Sequence, residues 1–319
     1  MQDDLKTTIR GRVNLLATAV LAVALLAPGA PSGASGDKIA VVVSSNEAPF
    51  TETVAGFNEY LAKQGYTAGY EVIRLDGDPA KAGPAIQRIK AGGVRLVFTV
   101  GTVATDAVVK GITDIPIVAC MVLRTDTLKK SGNATGVGLE FLLETQVAWM
   151  QRFLPDAGTV GVIYSAGENR QKVDAAAAIA KKAGLTFEAA QVKSPQDVPA
   201  ALNSLAKRVD ALWGIPDSIL LSPTIAKNVL LFSFRNSIPV VGPSAAWVKA
   251  GALYSLDWDY ADLGGQCGEI ADKIIKGAQP SSIPAASPRT VLYTINLVTA
   301  RQMKLELPEK LVSGAHQTY

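Results

Sequence analysis

The sequence is poor in the residues that most often carry chemistry. Its single histidine, His316, lies three residues from the end of the chain, and its only cysteines are Cys120 and Cys267. A lone terminal histidine is typical of a solvated tail, and no cluster of His, Cys, Asp and Glu has the spacing of metal ligands. We therefore expect no resident metal and no cofactor, and no residue set nominates a reaction.

Motifs for nucleotide and acyl chemistry are missing as well. The sequence has no G-x-x-x-x-G-K run, and the Gly-Val-Gly at 136–138 is too short for a dinucleotide fingerprint. The Gly-Pro-Ser-Ala-Ala run at 242–246 lacks the second glycine of a nucleophile elbow. Asp257 and Asp259 form a carboxylate pair, but Asp259 directly precedes a predicted helix and is better explained as its N-cap. The sequence therefore predicts a protein that is not an enzyme.

Charge of one sign is not concentrated anywhere. The chain has 31 basic and 28 acidic residues, a net charge of +3, and only 6% aromatic residues. A nucleic-acid-binding surface needs a basic stripe, usually with aromatic side chains between the charges. No such stripe is present, so nucleic acid is not an expected partner.

The N-terminus has the pattern of a secretory signal peptide. Basic residues up to Arg12 precede an apolar run over 13–27, and small residues follow it. The run is shorter than the roughly 20 apolar residues that a transmembrane helix needs. We expect residues 1–34 to be removed, after Ala30 or Ala34, with an uncleaved anchor as the alternative. Because no cysteine is near the processing region, a lipid anchor is not expected and the mature protein is predicted to be periplasmic.

The two cysteines leave two interpretations open. Cys120 ends a predicted strand, and Cys267 lies on the apolar stripe of a predicted helix. In an oxidising compartment they could form a disulfide, but the sequence does not show that they are close in space. The alternative is that both are small buried hydrophobic residues.

A near-repeat indicates how the chain is organised. The segments 94–102 and 209–218 each combine a buried strand with a small polar loop and a following helix. Each is then followed by another apolar strand that an Ile-Pro pair opens, at Ile115 and at Ile238. Two similar units predict two lobes, and two facing lobes leave a cleft in which a small molecule can bind.

Hydrophobic periodicity predicts strands alternating with helices over most of the chain. Such alternation is typical of an α/β fold with parallel sheets and helices on both faces. Ligands of these sheets bind beyond the carboxyl ends of the strands. This rule points to the loops at 44–50, 101–102, 120–126, 164–169, 214–218 and 242–246.

Four segments in a fixed order resemble one branch of the exported substrate-binding proteins of ABC transporters, the uncharacterised or aromatic-amino-acid-type branch. The resemblance covers nearly the whole mature chain. It is carried by the runs at 153–168, 213–218, 251–277 and 295–308.

The resemblance implies a type I periplasmic-binding-protein fold, with two Rossmann-like lobes that the chain crosses three times. By this analogy the first lobe contains 36–139 and 252–281. The second lobe contains 140–251 and 282–319.

The resemblance also implies which residues of the first lobe line the pocket. Asn46 and Phe50 follow the first strand. Gly101 and Thr102 start a helix whose N–H groups are placed to hold a carboxylate or another anion. Two alternatives remain: Thr102 merely begins its helix, and Phe50 belongs to the core.

On the second lobe the resemblance places Asp217 and Ser218 opposite these residues, where they would bind an ammonium or hydroxyl group. For Asp217 the alternative is that it caps a turn. The remaining candidates on this lobe are Tyr164, Ser165, Glu168 and Ser244.

The function that the resemblance implies is solute capture for an ABC importer. The lobes would close by hinge motion around an amino acid or another small aromatic or polar metabolite. The loaded protein would dock with the permease and its ATPase, and would meet the membrane only through the permease. A ligand-sensing module for a histidine kinase or chemoreceptor is an alternative from the same residues, and a periplasmic enzyme on the same fold is a third.

Overall fold

Two apolar runs form the centre of the first sheet. In β1 (Lys38–Val43) every residue after Lys38 is buried, and in β3 (Val94–Val100) only Arg95 is exposed. Strands that are apolar throughout are covered on both faces, as in the middle of a parallel sheet. The computed structural model, which describes residues 38–67 and 69–319, pairs these two strands in parallel. The predicted signal segment 1–34 lies outside the described residues.

The first sheet is parallel throughout, in the order β2-β1-β3-β4-β5. Its other strands are β2 (Tyr70–Arg74), β4 (Ile117–Val122) and β5 (Ala134–Gly138). The helices between them are α1 (Ala48–Lys63), α2 (Ala82–Ala91), α3 (Thr102–Gly111) and α4 (Asp126–Lys130).

The second sheet follows in the chain. Its parallel strands are β6 (Thr159–Ser165), β7 (Thr186–Val192), β8 (Ala211–Trp213) and β9 (Val240–Gly242), and it is extended by β10 (Tyr254–Trp258), β11 (Val291–Ile295) and β12 (Gln317–Thr318). The order is β12-β11-β10-β9-β8-β6-β7, and β11 runs antiparallel to β10. The surrounding helices are α5 (Leu143–Phe153), α6 (Ala166–Lys182), α7 (Val198–Leu205), α8 (Pro223–Asn236), α9 (Ala245–Ala250), α11 (Leu297–Gln302) and α12 (Glu309–Ser313).

One helix returns to the first sheet after the second sheet has been built. This is α10 (Tyr260–Ile275), which packs against α1 and shares its apolar core with β1, β3 and β4. Asp259 accepts a hydrogen bond from the Asp262 N–H at 2.9 Å, which confirms it as the N-cap of this helix. We call the first sheet with α1–α4 and α10 the first lobe, and the second sheet with the remaining helices the second lobe.

The extent of the returning segment differs from the expectation. The resemblance assigned all of 252–281 to the first lobe. In the structure β10 pairs with β9 and β11 and so belongs to the second sheet. We therefore propose that the chain crosses to the first lobe at Asp259.

Three short segments connect the lobes, at 139–142, at 258–260 and at 287–290. The first two are in contact: the rings of Phe141 and Trp258 stack with 5.9 Å between centroids. In the third, Arg289 binds two carboxylates of α10, Asp262 at 2.6 Å and Glu269 at 2.5 Å. The crossings are therefore tied to each other and to α10 at the place where a hinge is expected.

Glycines allow α1 and α10 to approach unusually closely. A Cβ atom on Gly56 would lie 1.9 Å from the main-chain oxygen of Ala261, and one on Gly264 would lie 2.0 Å from that of Thr53. Real Cβ atoms do not tolerate such distances, so any side chain at either position would push the helices apart. The pair thus packs as one unit on the first sheet.

Candidate ligand-binding site

The loops that follow the parallel strands form one edge of each sheet. In the first lobe they begin at Ser44, Gly101 and Leu123, and in the second lobe at Ala166 and Gly214. Because β9 runs parallel to β8 and β10 runs parallel to β9, the loop at Pro243 and the crossing at Asp259 lie at the same edge. All ten candidate residues of the sequence analysis are on or next to these loops.

Three residues of the first lobe meet at Gly101. This glycine has φ 94° and ψ 158°, a conformation that is essentially restricted to glycine. A Cβ atom here would lie 2.6 Å from Ser44 Oγ and 2.7 Å from Phe50 Cε1. Because Gly101 has no side chain, Ser44 and the Phe50 ring can occupy the space beside it.

Ser44 is a residue of this edge that the sequence analysis did not single out. Its hydroxyl accepts a hydrogen bond from the Ala104 N–H at 2.9 Å, and so caps the first turn of α3 from another loop. Thr102 Oγ1 accepts from the Leu123 N–H at 3.3 Å and joins the start of α3 to the loop after β4. A cap supplied from a distant part of the chain has no local sequence signal, because the capping residue normally precedes the helix directly.

Asn46 and Phe50 occupy different environments in the first lobe. Asn46 is exposed, and its amide donates to Asp76 Oδ1 at 2.6 Å, which fixes the loop. Phe50 is half-buried and packs against the core under α1 and α10. Part of the Phe50 ring therefore packs in the core, as the alternative interpretation expected, and part of the ring is exposed near Gly101.

Asp217 has an internal role, which changes the expectation for this residue. Only 1% of it is exposed. Its Oδ2 accepts from the Ser165 N–H at 2.7 Å and from Asn169 Nδ2 at 2.9 Å, and its Oδ1 accepts from the Ile219 N–H at 3.1 Å. A carboxylate with three internal donors and almost no exposed surface is not available to a ligand. Asp217 instead fixes the loop after β8 to the start of α6.

Ser218 and Glu168 form the exposed part of the second-lobe edge. The Ser218 N–H donates to Glu168 Oε2 at 3.1 Å, and the Ser218 hydroxyl donates to Glu168 Oε1. Both residues are exposed. The structure therefore brings these two candidates together and presents a carboxylate at the edge where Asp217 was expected to present one.

The other second-lobe candidates divide into core and helix-start residues. Tyr164 is 5% exposed and packs in the core of the second lobe, so its side chain is not available to contact a ligand. Ser165 is the N-cap residue of α6, and Ser244 is that of α9. Since Gly242 pairs with Ser255, Ser244 lies beside the end of β10.

Asp257, near the end of β10, is a further residue at this edge. It accepts hydrogen bonds from Ser255 Oγ at 3.1 Å and from Thr294 Oγ1 at 2.5 Å. Burial raises the pKa of the Asp257 carboxyl, and these two hydroxyls counteract part of the rise. In the sequence, Ser255 and Asp257 alternate along one face of a strand, and this pattern indicates that their side chains lie together. The carboxylate pair Asp257 and Asp259 indicated a helix start instead.

Aromatic rings are concentrated at the crossings. Trp258 stacks on Phe141 and lies 6.3 Å from Tyr260, centroid to centroid. Burial, followed by the negative charges of Asp257 and Glu52, raises the pKa of Tyr260. The Tyr260 phenol is thus close to the second sheet and to α1 at once, which places it between the lobes.

The comparison with known families identifies the chain. The family described as ABC transporter substrate binding protein matches residues 38–319. The chain belongs to this family. Proteins of this family bind small molecules for ABC transporters, and both the family and the fold are those of binding proteins.

Individual substrate-binding proteins are similar over most of the chain. A tyrosine-binding protein of Clostridioides difficile is 26% identical over 269 residues, which cover 79% of this chain and 76% of that protein. The crystal structure of an ABC domain from Streptococcus pneumonia in complex with L-Trp is 26% identical, with a TM-score of 0.59, and covers 89% of this chain and all of that one.

A ligand-free, open structure of a substrate-binding protein with adhesive properties from Clostridium difficile has the same fold. Its TM-score is 0.74 at 23% identity, and the match covers 88% of this chain and 98% of that one. These findings confirm the α/β fold of two lobes with a type I periplasmic-binding-protein architecture.

Within residues 38–67 and 69–319, no group of three or more His, Cys, Asp and Glu side chains is placed to hold a metal ion. Over the same part of the chain, no helix combines the length and apolar character that crossing a bilayer requires.

A wide groove of about 1050 Å³ lies on the first lobe between α3 and α4. It reaches Thr102 and Leu123, and it is also lined by Asp106 of α3, Lys130 of α4 and Asp114 of the segment before β4. The groove is open and carries charges of both signs.

Proposed function

We propose that this protein is the extracytoplasmic solute-binding component of an ABC importer, that it binds an aromatic amino acid between its lobes, and that it delivers the ligand to the permease and its ATPase. The observation that carries the proposal is that Gly101, Phe50 and the start of α3 come together at the strand ends of the first lobe, while the exposed Glu168 lies at the strand ends of the second. Similarity to proteins described with L-Trp and tyrosine supports this ligand class.

Each chemical group of an aromatic amino acid has a counterpart among the residues at the strand ends of the two sheets. The start of α3 lies where its N-terminal amides attract a carboxylate, with the Ala104 N–H already bound by Ser44. Glu168, held by Ser218, supplies a negative charge for the ammonium group. The half-buried rings of Phe50 and Tyr260 supply aromatic faces for the side chain.

Export is part of the same proposal. The N-terminal segment 1–34 has the pattern of a signal peptide, and a substrate-binding protein of a transporter acts outside the cytoplasm. We infer a periplasmic location for the mature chain. Fractionation of cells that express the full gene product, with N-terminal sequencing of the recovered protein, tests this inference.

Calorimetric titration tests the ligand class. The protein is unfolded, dialysed and refolded to remove any bound molecule, and then titrated with L-Trp, L-Tyr and L-Phe. We expect at least one to bind at micromolar affinity or better and the radius of gyration to fall on binding. No heat and no compaction with all three would contradict the proposal.

A pair of variants tests the role of Glu168. Glu168→Gln keeps the shape but removes the charge, and should weaken binding about tenfold or more, since hydrogen bonds to charged groups contribute about 1.5–3 kcal/mol. Glu144→Gln, an exposed glutamate in the first turn of α5, is the matched control and should bind as the wild type does. Equal affinities in both variants would remove Glu168 from the site.

A further inference from the structure

The two cysteines lie on elements that are far apart in sequence. Cys120 is in β4 and Cys267 is in the middle of α10, and neither has any exposed surface. Both side chains belong to the same apolar core of the first lobe. In the structure both are thiols.

Reciprocal hydrogen bonds place the two thiols side by side. The Cys120 thiol donates to the main-chain oxygen of Leu263, one helical turn before Cys267, at 3.7 Å. The Cys267 thiol donates to the main-chain oxygen of Ala119, the residue before Cys120, at 3.6 Å. Each sulfur therefore points into the element that carries the other.

Burial raises the pKa of the Cys267 thiol, and the neighbouring Cys120 thiol raises this pKa further. Such thiols react slowly once buried, because the thiolate is the reactive form. A reaction between them therefore belongs to the stage of folding at which α10 has reached β4 but still admits small molecules.

We propose that Cys120 and Cys267 form a disulfide when the chain folds in the presence of a disulfide oxidant. In this exchange one cysteine thiolate attacks the oxidant disulfide and releases one thiol. The second cysteine thiolate then attacks the mixed disulfide and releases the other thiol. One cysteine pair is oxidised, one disulfide molecule is reduced to two thiols, and the two cysteine protons end on the released thiols.

The bond would join the returning helix to the sheet on which it packs. It closes a loop that contains β5 and the strands β6 to β10, and so it links the first and last parts of the first lobe. Because cross-links over long loops restrict the unfolded chain most, the oxidised protein should be markedly more stable. The bond lies in the lobe core and does not connect the two lobes.

Refolding of the full chain tests the proposal without reference to cellular location or ligand. The reduced, denatured protein is diluted into buffer with oxidised and reduced glutathione, and in parallel into buffer with dithiothreitol. The products are then unfolded in an alkylating reagent and weighed by mass spectrometry. We expect no alkylation of the first product, two alkyl groups on the second, and a peptide pair linked through Cys120 and Cys267.

Variants and melting curves complete the test. Cys120→Ser and Cys267→Ser should each take one glutathione or one alkyl group, and neither should form an internal link. The oxidised wild type should regain the near-ultraviolet circular dichroism of the reduced protein and melt about 5 °C or more above it. Two free thiols after oxidative refolding, or a linked product without native dichroism, would overturn the proposal.

Discussion

The indole Nε1 of Trp258 donates a hydrogen bond of 2.7 Å to the main-chain oxygen of Leu139. These residues lie in different crossings, at the end of β10 and just after β5. The bond therefore joins two of the three connections between the lobes, and the stacking of Trp258 on Phe141 reinforces it. A change at this bond should alter how the lobes move without touching the loops that we propose as the ligand site.

Trp258→Phe removes the donor and keeps an aromatic ring. The variant should lose about 1 kcal/mol of unfolding free energy, because the Leu139 oxygen loses its partner. The ligand affinity should change as well, since the balance between open and closed forms shifts. Denaturant unfolding and calorimetry measure both. Trp149→Phe, in the ring cluster with Phe153 and Tyr293, is the control, and it should change stability alone.

Gly101→Ala should distort the loops at the strand ends of the first lobe. The backbone conformation excludes a side chain, and the new methyl would meet Ser44 and Phe50. We expect a loss of at least about 2 kcal/mol in unfolding free energy and a weaker ligand affinity. Gly65→Ala is the matched control: Gly65 has φ 85° but no atom within 4 Å of the added Cβ. Equal losses in the two variants would show that the contact with Phe50 does not matter.

Asp217→Asn should destabilise the second-lobe edge. The amide would turn an N–H₂ group toward donors that now meet a carboxylate, at a site that is 1% exposed. We expect a loss of about 2 kcal/mol or more. Ser218→Ala, at the exposed neighbour, should change stability by less than about 0.5 kcal/mol. Thermal and chemical unfolding measure the loss of unfolding free energy in both variants. A large loss for Asp217→Asn and a small one for Ser218→Ala would show that Asp217 supports the loop and that Ser218 does not.

The raised pKa of Asp257 should make the free energy of unfolding decrease as pH rises. Its pKa is raised in the folded protein, so between the unfolded value, near 3.8, and the folded value the folded state binds more protons than the unfolded state. The associated stability is complete below the unfolded pKa and is lost as pH rises through the folded pKa. The stability of the wild type relative to Asp257→Asn should therefore decrease from pH 3.5 upward and become constant above the folded pKa. A difference that grows with pH in unfolding titrations would contradict this assignment.

Local patterns predicted the elements well, because their causes are local. The apolar runs of β1 and β3 predicted buried parallel strands, and Asp259 predicted the start of α10. The resemblance placed β10 with the first lobe, whereas in the structure β10 pairs with β9 and β11, since strand pairing depends on which sheet edge is free and not on the composition of Tyr254–Trp258.

The candidate site was predicted less completely for a similar reason. The strand-end rule selected loops that the structure does place at one edge of each sheet, but the direction of each side chain depends on partners distant in sequence. Asp217 turns inward because the Ser165 N–H and the amide of Asn169 lie beneath it, and Ser44 caps a helix that begins much later in the chain. Neither relationship has a periodic or local signature.

The close approach of α1 and α10 at Gly56 and Gly264 has a consequence for the order of assembly. Helix α1 cannot complete its packing until residues 260–275 have been synthesised, and these follow nearly all of the second lobe. The earliest part of the chain therefore waits with an uncovered apolar surface while later parts fold. Under the export that we propose, the chain would cross the membrane unfolded and fold only once both helices are outside, and this order would avoid the delay in the cytoplasm.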